Sequence, residues 1–134
     1  MPLRKLVGRG LKIGLGTDVS GGYSPSMLNA MRSAITVSSS YYMDTDRNAK
    51  PLHHSEAFYL ATQGGADLLG IGDTIGSFAV GKQFDALVID PNARDSPFDT
   101  FAWDTPDSVF EKFCYLGDDR NIVQIYVQGR RISL

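Results

Sequence analysis

The chain has 134 residues, the length of one domain or of one domain with a small appendage, and its 43% hydrophobic and 21% charged residues are ordinary for a globular protein. A net charge of −2, with no basic block longer than Arg130-Arg131, leaves no basic face to neutralise phosphates, so no nucleic-acid partner is expected. The longest uncharged stretch, Val19 to Met31, is full of Gly, Ser and Asn and falls short of the ~18 apolar residues of a membrane span, so no membrane partner is expected either.

Pro2 to Val7 reads as the end of a helix stopped by Gly8 and Gly10. LKIGLGTD (Leu11 to Asp18) then reads as a short, mostly apolar strand ending at a polar pair. A strand apolar on both faces suits a covered parallel sheet or a barrel. Gly21-Gly22 predict a turn. Ser24-Pro25 predict a helix start, with Ser at the N-cap and Pro at the first helical position. Leu28, Met31, Ile35 and Tyr42 fall on one stripe, which predicts a helix from Pro25 to about Tyr42. Asp44 to Lys50 is a polar loop. A second helical segment starts near Ser55, buries Ala57, Phe58, Leu60 and Ala61, breaks at Gly64-Gly65 and resumes to Leu69, with Gly70 as its C-cap.

After Gly76 the pattern changes. Ser77 to Gly81 reads as a turn or short strand, DALVID (Asp85 to Asp90) as a buried strand closed by Pro91, and Asn92 to Asp107 as an extended loop. Ser108 to Tyr115 predicts a short helix with Val109, Phe110 and Phe113 facing inward. Ile122 to Gln128 alternates as a strand with Val123, Ile125 and Val127 on one face, and Gly129 begins a turn into Arg130 to Leu134. The first 75 residues thus read as strand, helix, helix, and the rest as a small β-rich unit. One strand and its helices do not close a barrel, so the first part reads as a piece of something larger.

Asp18 is the foremost candidate for chemistry. It stands at the carboxyl end of an apolar strand, immediately before a Gly-rich turn, and in α/β barrels that end faces the active site. A carboxylate there can bind a metal or move a proton, and it can equally cap the turn or helix that follows. Gly14, Gly16 and Gly21 fail the G-x-G-x-x-G spacing because position 19 is Val19, so they read as aids to tight packing and a sharp turn. His53 and His54 are the only histidines. Adjacent side chains point apart on a regular element, so the pair is a poor metal site, and His53 stands where a helix N-cap is expected. Cys114, the single cysteine, excludes an intramolecular disulfide, reads as a buried small hydrophobe and fits a reducing, cytoplasmic compartment. No apolar segment follows the basic opening MPLRKLVGRG, so no secretory signal is predicted. Asp118-Asp119-Arg120 reads as a charged turn with a local ion pair.

Four stretches resemble a known family. GLGTDVSGGYSPSMLNAMRSA (Gly14 to Ala34) resembles the end of the barrel in the guanine-deaminase family of the metal-dependent amidohydrolase superfamily. LATQGGADLLGIGDTIGSFAVGKQFDALVID (Leu60 to Asp90) resembles the superfamily's passage from the last barrel helices into its β-sandwich. DSPFD (Asp95 to Asp99) and FCYLGDDRNIVQIYVQGRRI (Phe113 to Ile132) resemble the guanine-deaminase C-terminus more narrowly.

The resemblance implies an α/β fold: residues 1–75 as the C-terminal segment of a (β/α)8 barrel, contributing its last strand and helices, and residues 76–134 as the C-terminal part of a small β-sandwich. It implies zinc as cofactor, guanine as small-molecule substrate, xanthine and ammonia as products, and a cytoplasmic homodimer for the complete enzyme. It places Asp18 at the end of the eighth barrel strand, where the family's aspartate contacts the catalytic zinc, touches the substrate and shuttles a proton. The family's H-x-H pair and two further histidines have no counterpart in this sequence, and His53 stands where relatives carry a Ser or Thr helix cap. The sequence therefore reads as a C-terminal fragment, a truncated gene model or a shortened isoform, inactive alone. Two other readings remain: a relative acting on another aminopurine, a pyrimidine or a triazine, and a non-catalytic interaction module with exposed apolar faces.

Overall fold

The chain divides between Gly76 and Ser77 into two units. The computed structural model describes residues 3–132, so the expected helical Pro2 and the last two residues of the closing turn lie outside the described residues.

The first unit holds four helices: α1 (Leu3–Val7), α2 (Met27–Asp44), α3 (His54–Ala61) and α4 (Gln63–Leu68). Helix α2 starts two residues later than the Ser24-Pro25 pair predicts. Ser26 is the N-cap, its Oγ accepting from the Asn29 amide at 3.3 Å. Ser24 is diverted, because its Oγ accepts from the Ser26 amide (3.2 Å) and from Asn29 Nδ2 (2.9 Å). Of the predicted stripe, Met31 is fully buried. Ser38, on α2, accepts from the amide of buried Leu52 at 2.9 Å and so ties the helix to the segment beyond the 45–50 loop.

Ala57 and Leu60 form the buried face of α3, one turn apart, whereas Phe58 lies off that face and is 40% exposed, which corrects its expected burial. The helical break falls at Thr62 rather than at the glycines, which lie inside α4. Thr62 Oγ1 donates to the Phe58 carbonyl at 2.8 Å, a side-chain bond that competes with the backbone ladder and bends the chain there. Gly70, with φ +75°, ends α4 in the left-handed conformation that suits a glycine.

Leu11 to Asp18, expected as a strand, belongs to no ladder. A strand is defined by its hydrogen-bonded neighbours, and among the described residues this segment has none in a sheet. Among the described residues it is tied to the helices by backbone bonds from the Leu11 amide to the Leu6 carbonyl of α1 (3.3 Å) and from the Leu15 amide to the Leu60 carbonyl of α3 (2.9 Å), and by Lys12 Nζ, which donates to the Asp67 carbonyl of α4 at 3.2 Å.

Arg4 fastens α1 to the start of α3. Its guanidinium donates to both Glu56 oxygens (2.5 and 2.7 Å) and to the carbonyls of Lys50 and Pro51 (3.0 Å each). Glu56 also accepts from the His53 amide at 2.9 Å, so one carboxylate closes the α1 contact and the N-terminus of α3 together.

The second unit is a three-stranded antiparallel sheet in the order β1 (Ala86–Ile89), β2 (Ile122–Val127), β3 (Arg130–Ile132), with helix α5 (Pro106–Leu116) between β1 and β2 in sequence. Leu87 and Val88, on opposite faces of β1, are both exposed, which corrects the reading of 85–90 as a buried strand: neither side chain is covered by a packed layer, and among the described residues β1 pairs with β2 alone. The β2–β3 turn is Gln128-Gly129, both with positive φ (51° and 76°), the geometry of a two-residue primed hairpin between the Val127–Arg130 pair. The turn therefore begins one residue before Gly129.

Helix α5 opens earlier than Ser108, because Thr105 caps it. Thr105 Oγ1 accepts from the Ser108 amide (3.2 Å) and Ser108 Oγ from the Thr105 amide (2.9 Å), with Pro106 as first helical residue. Its Phe113 and Cys114 are buried, Cys114 as the small hydrophobe the sequence predicts. Beneath the 90–100 loop lies Asn121, with no exposed surface. Its amide nitrogen donates to the Asp90 carbonyl and to Ser96 Oγ, both at 3.1 Å, and its oxygen accepts from the Asp118 amide at 3.2 Å.

Hydrogen bonding to Arg4 holds the Glu56 carboxyl at about 2, below its ordinary 4.5, against the opposing effect of partial burial. A depressed carboxyl stabilises the fold fully above its unfolded value, and the contribution disappears as pH falls from about 4.5 towards about 2. Glu56→Gln should therefore destabilise the protein at pH 7 by about 1 kcal/mol, discounted for the solvent around the pair. Thermal melts at pH 7 and pH 2.5 check this: a lowered melting temperature is expected at neutral pH, with the difference closing in acid.

Candidate functional site

Asp18 sits in a left-handed backbone conformation with φ +51°, a region that Asp tolerates better than most residues. The turn that holds it is made by backbone atoms. The Gly22 amide donates to the Asp18 carbonyl, and the Val19 amide donates to Thr17 Oγ1 at 3.4 Å. Gly22 lies so close to the Thr17 carbonyl oxygen that a side chain there would collide with it. A Cβ on Gly21 would stand 2.9 Å from Asp18 Oδ2.

The Asp18 side chain is exposed and has no hydrogen bond or ion pair among the described residues. It does not cap the helix that follows, a task Ser26 performs. Of the two readings open to it from position alone, that leaves an uncommitted carboxylate at a tight turn.

What brings this turn to its place is close backbone packing. A Cβ on Gly14 would lie 2.8 Å from Gly65 Cα, and one on Gly64 would lie 3.2 Å from the Ile13 carbonyl oxygen. The segment before Asp18 therefore lies directly on the backbone of α4, next to the Leu15–Leu60 bond. Gly14 serves tight packing and Gly21 the turn, as the sequence predicts, whereas Gly16 has open space around it.

His53 is the N-cap of α3: its Nδ1 lies 3.4 Å from the Ser55 amide and 2.8 Å from Ser55 Oγ. Contrary to the expectation for neighbours on a regular element, the His53 and His54 rings approach to 4.0 Å. The backbone turns from extended to helical between them, which brings the rings side by side, with His54 buried and His53 at the surface. Asp118 and Arg120 form the expected local ion pair, 2.6 Å apart, and hydrogen bonding to Asp118 raises the Arg120 pKa.

Catalytic zinc needs about three protein donors and a water. Among the described residues no group of three or more His, Cys, Asp and Glu side chains is placed to hold a metal ion. Asp18, an open carboxylate, fits as one oxygen donor of such a centre and supplies no more. No helix among the described residues is long and apolar enough to cross a membrane.

Two features of the site escape sequence reading. Gly22 reads only as a turn residue, although it holds the Asp18 carbonyl. The Arg4–Glu56 pair spans 52 positions, and its one local trace is a Glu three residues after the His53 cap.

The sequence profile of the amidohydrolase family matches residues 1–132. The chain is 46% identical over 133 residues to the guanine deaminase of Dictyostelium discoideum, covering 99% of this chain and 29% of that protein. Its fold superposes on the crystal structure of guanine deaminase from C. acetobutylicum with guanine bound in the active site, at a TM-score of 0.81 and 37% identity, over 99% of this chain and 30% of that one. It also matches an adenosine deaminase from Xanthomonas campestris with bound zinc, at a TM-score of 0.76 and 25% identity, over 97% and 27% of the two chains. The chain thus spans about three tenths of the length of the relatives it matches.

Gly14→Ala should destabilise the first unit by about 1–3 kcal/mol, because the new methyl meets backbone rather than a movable side chain. Gly16→Ala, in open space, should leave the melting temperature unchanged or slightly raised. Equal loss in both variants, measured by thermal unfolding, would refute the close-packing account.

Proposed function

This chain belongs to the amidohydrolase family, and from that premise we propose that it is the C-terminal portion of a zinc-dependent guanine deaminase, with Asp18 as its proton carrier. The observation that carries the role is the Asp18 carboxylate itself, exposed at a backbone-clamped turn and committed to no cap or ion pair among the described residues. The likeness to guanine deaminases across nearly all of this chain supports guanine as the substrate, and the bound zinc of the adenosine deaminase neighbour supports the metal.

In this reading residues 1–75 belong to the last strand and helices of a (β/α)8 barrel, and 76–134 to the C-terminal part of the small β-sandwich. Asp18 then stands at the carboxyl end of a barrel strand, where such folds build their active sites. Zinc, when bound, lowers the pKa of a coordinated water towards ~7.

Asp18 takes one proton from the attacking water as the water oxygen bonds to C2 of guanine. It hands that proton to the exocyclic nitrogen as the C2–N bond breaks. The products are xanthine and ammonia, and Asp18 returns to its carboxylate form. No group of three His, Cys, Asp or Glu side chains is placed to hold a metal among the described residues, and this reading therefore has the 134 residues inactive on guanine by themselves. A cytoplasmic homodimer is the assembly this reading carries.

The closer identity to the guanine deaminase structure than to the adenosine deaminase favours guanine over other aminopurines. The test is guanine hydrolysis by the complete protein carrying this sequence, with zinc supplied and absorbance followed in the ultraviolet. Turnover is expected, and Asp18→Asn should lower it by about 10²–10⁴-fold while the protein stays folded. Normal turnover in Asp18→Asn would end the assignment, and zinc-dependent turnover by the 134-residue chain alone would overturn the donor argument.

A further inference from the structure

We propose that Gly21 is a positioning residue for Asp18, its missing side chain leaving the space in which the carboxylate stands; the inference rests on the catalytic reading of Asp18 given above. A Cβ built on Gly21 lies 2.9 Å from Asp18 Oδ2 and 3.4 Å from Asp18 Cγ, closer than a carbon and a carboxylate oxygen can rest. The third of its three nearest atoms is the Asp18 carbonyl oxygen, at 3.4 Å. A methyl at this position therefore meets the end of one movable side chain, and that side chain is the proton carrier.

The backbone at Gly21 is outside the left-handed region, so alanine is conformationally permitted there. Its cost falls on the direction of Asp18 and not on the fold. Gly22 differs. A methyl there would strike the Thr17 carbonyl oxygen, which is backbone, and the Gly22 amide already holds the Asp18 carbonyl. The two adjacent glycines thus divide the work: Gly22 closes the turn and Gly21 clears the carboxylate's position. Bulk at Gly21 rotates the Asp18 side chain away from Gly21 about its own bonds while its Cα stays in place.

A proton carrier works over a short range of distances, and a displacement of about 1 Å costs about 10²-fold in rate. Gly21→Ala should therefore lower kcat for guanine by about that factor, with KM and melting temperature little changed, because the three atoms nearest the new methyl all belong to Asp18.

The experiment measures kcat, KM and the melting temperature of the complete protein carrying this sequence, in the parent, Gly21→Ala and Gly16→Ala. Carbon-13 NMR of the Asp18 carboxyl group, compared between parent and Gly21→Ala, reads its displacement without reference to turnover. A loss in kcat confined to Gly21→Ala, together with a moved Asp18 resonance, is the expected result. An active parent with Gly21→Ala at parental kcat would overturn the positioning role and leave the role of Asp18 intact. An equal loss of activity in Gly16→Ala, whose methyl meets no atom within 4 Å, would overturn the positioning role in the same way. A parent without guanine turnover would overturn the catalytic reading and this inference together.

Discussion

The bond from the Leu15 amide to the Leu60 carbonyl, 2.9 Å long, joins the segment carrying Asp18 to the helices that give the first unit its core. Beside that bond the two backbones pack directly on each other. Gly14, Gly64 and Gly65 supply that approach, since a Cβ on either of the first two would press on backbone atoms of the facing segment. The glycines cost conformational entropy in the unfolded chain, by about 0.5–1 kcal/mol each relative to alanine in an element interior. Placement of the turn offsets that cost: Asp18 follows Leu15 by three residues, so whatever fixes Leu15 fixes the start of the turn.

Much of this fold is legible in the sequence where one local rule acts alone. Met31, Ala57 and Leu60 are buried on their helical stripes, Gly70 ends a helix, and the hairpin near Gly129 forms. Legibility fails where two local options compete. Ser24 and Ser26 are both competent caps, and the Asn29 side chain settles the matter by engaging Ser24 and leaving the Asn29 amide to Ser26. Gly64-Gly65 are the weaker helix formers, yet the break falls at Thr62, whose hydroxyl bonds the carbonyl four residues back.

The strand readings fail for a different reason. Periodicity reports which faces an element would bury, and a ladder needs a partner that no single segment specifies. Leu11 to Asp18 has the composition of a covered strand and no sheet neighbour among the described residues. Ala86–Ile89 has the same composition and one neighbour, β2, so its Leu87 and Val88 remain open. Apolar surface of this kind is the mark of a face meant for another layer, which agrees with a chain that spans about three tenths of its relatives' length.

The carboxylates sort by what faces them, and the sorting bears on which one can carry protons. Glu56 is held by Arg4, Asp46 by Lys5 and Asp104 by Lys112, and in each the neighbouring cation lowers the carboxyl pKa. A cation that stabilises the charged form resists protonation, so a group such as Glu56, at about 2, stays ionised throughout the neutral range. It cannot pick up a proton from water and release it again within one reaction cycle near pH 7. These three acids are committed to structure: α1 to α3, α1 to the loop after α2, and the 99–104 loop to α5. Asp18 is placed with equal care, by Gly22 at its carbonyl and by the bare Gly21 beside its carboxylate, yet no cation faces it among the described residues. Precise placement without an ion-pair partner is the arrangement that the proposed role calls for, in which the side chain's partner is a reacting molecule.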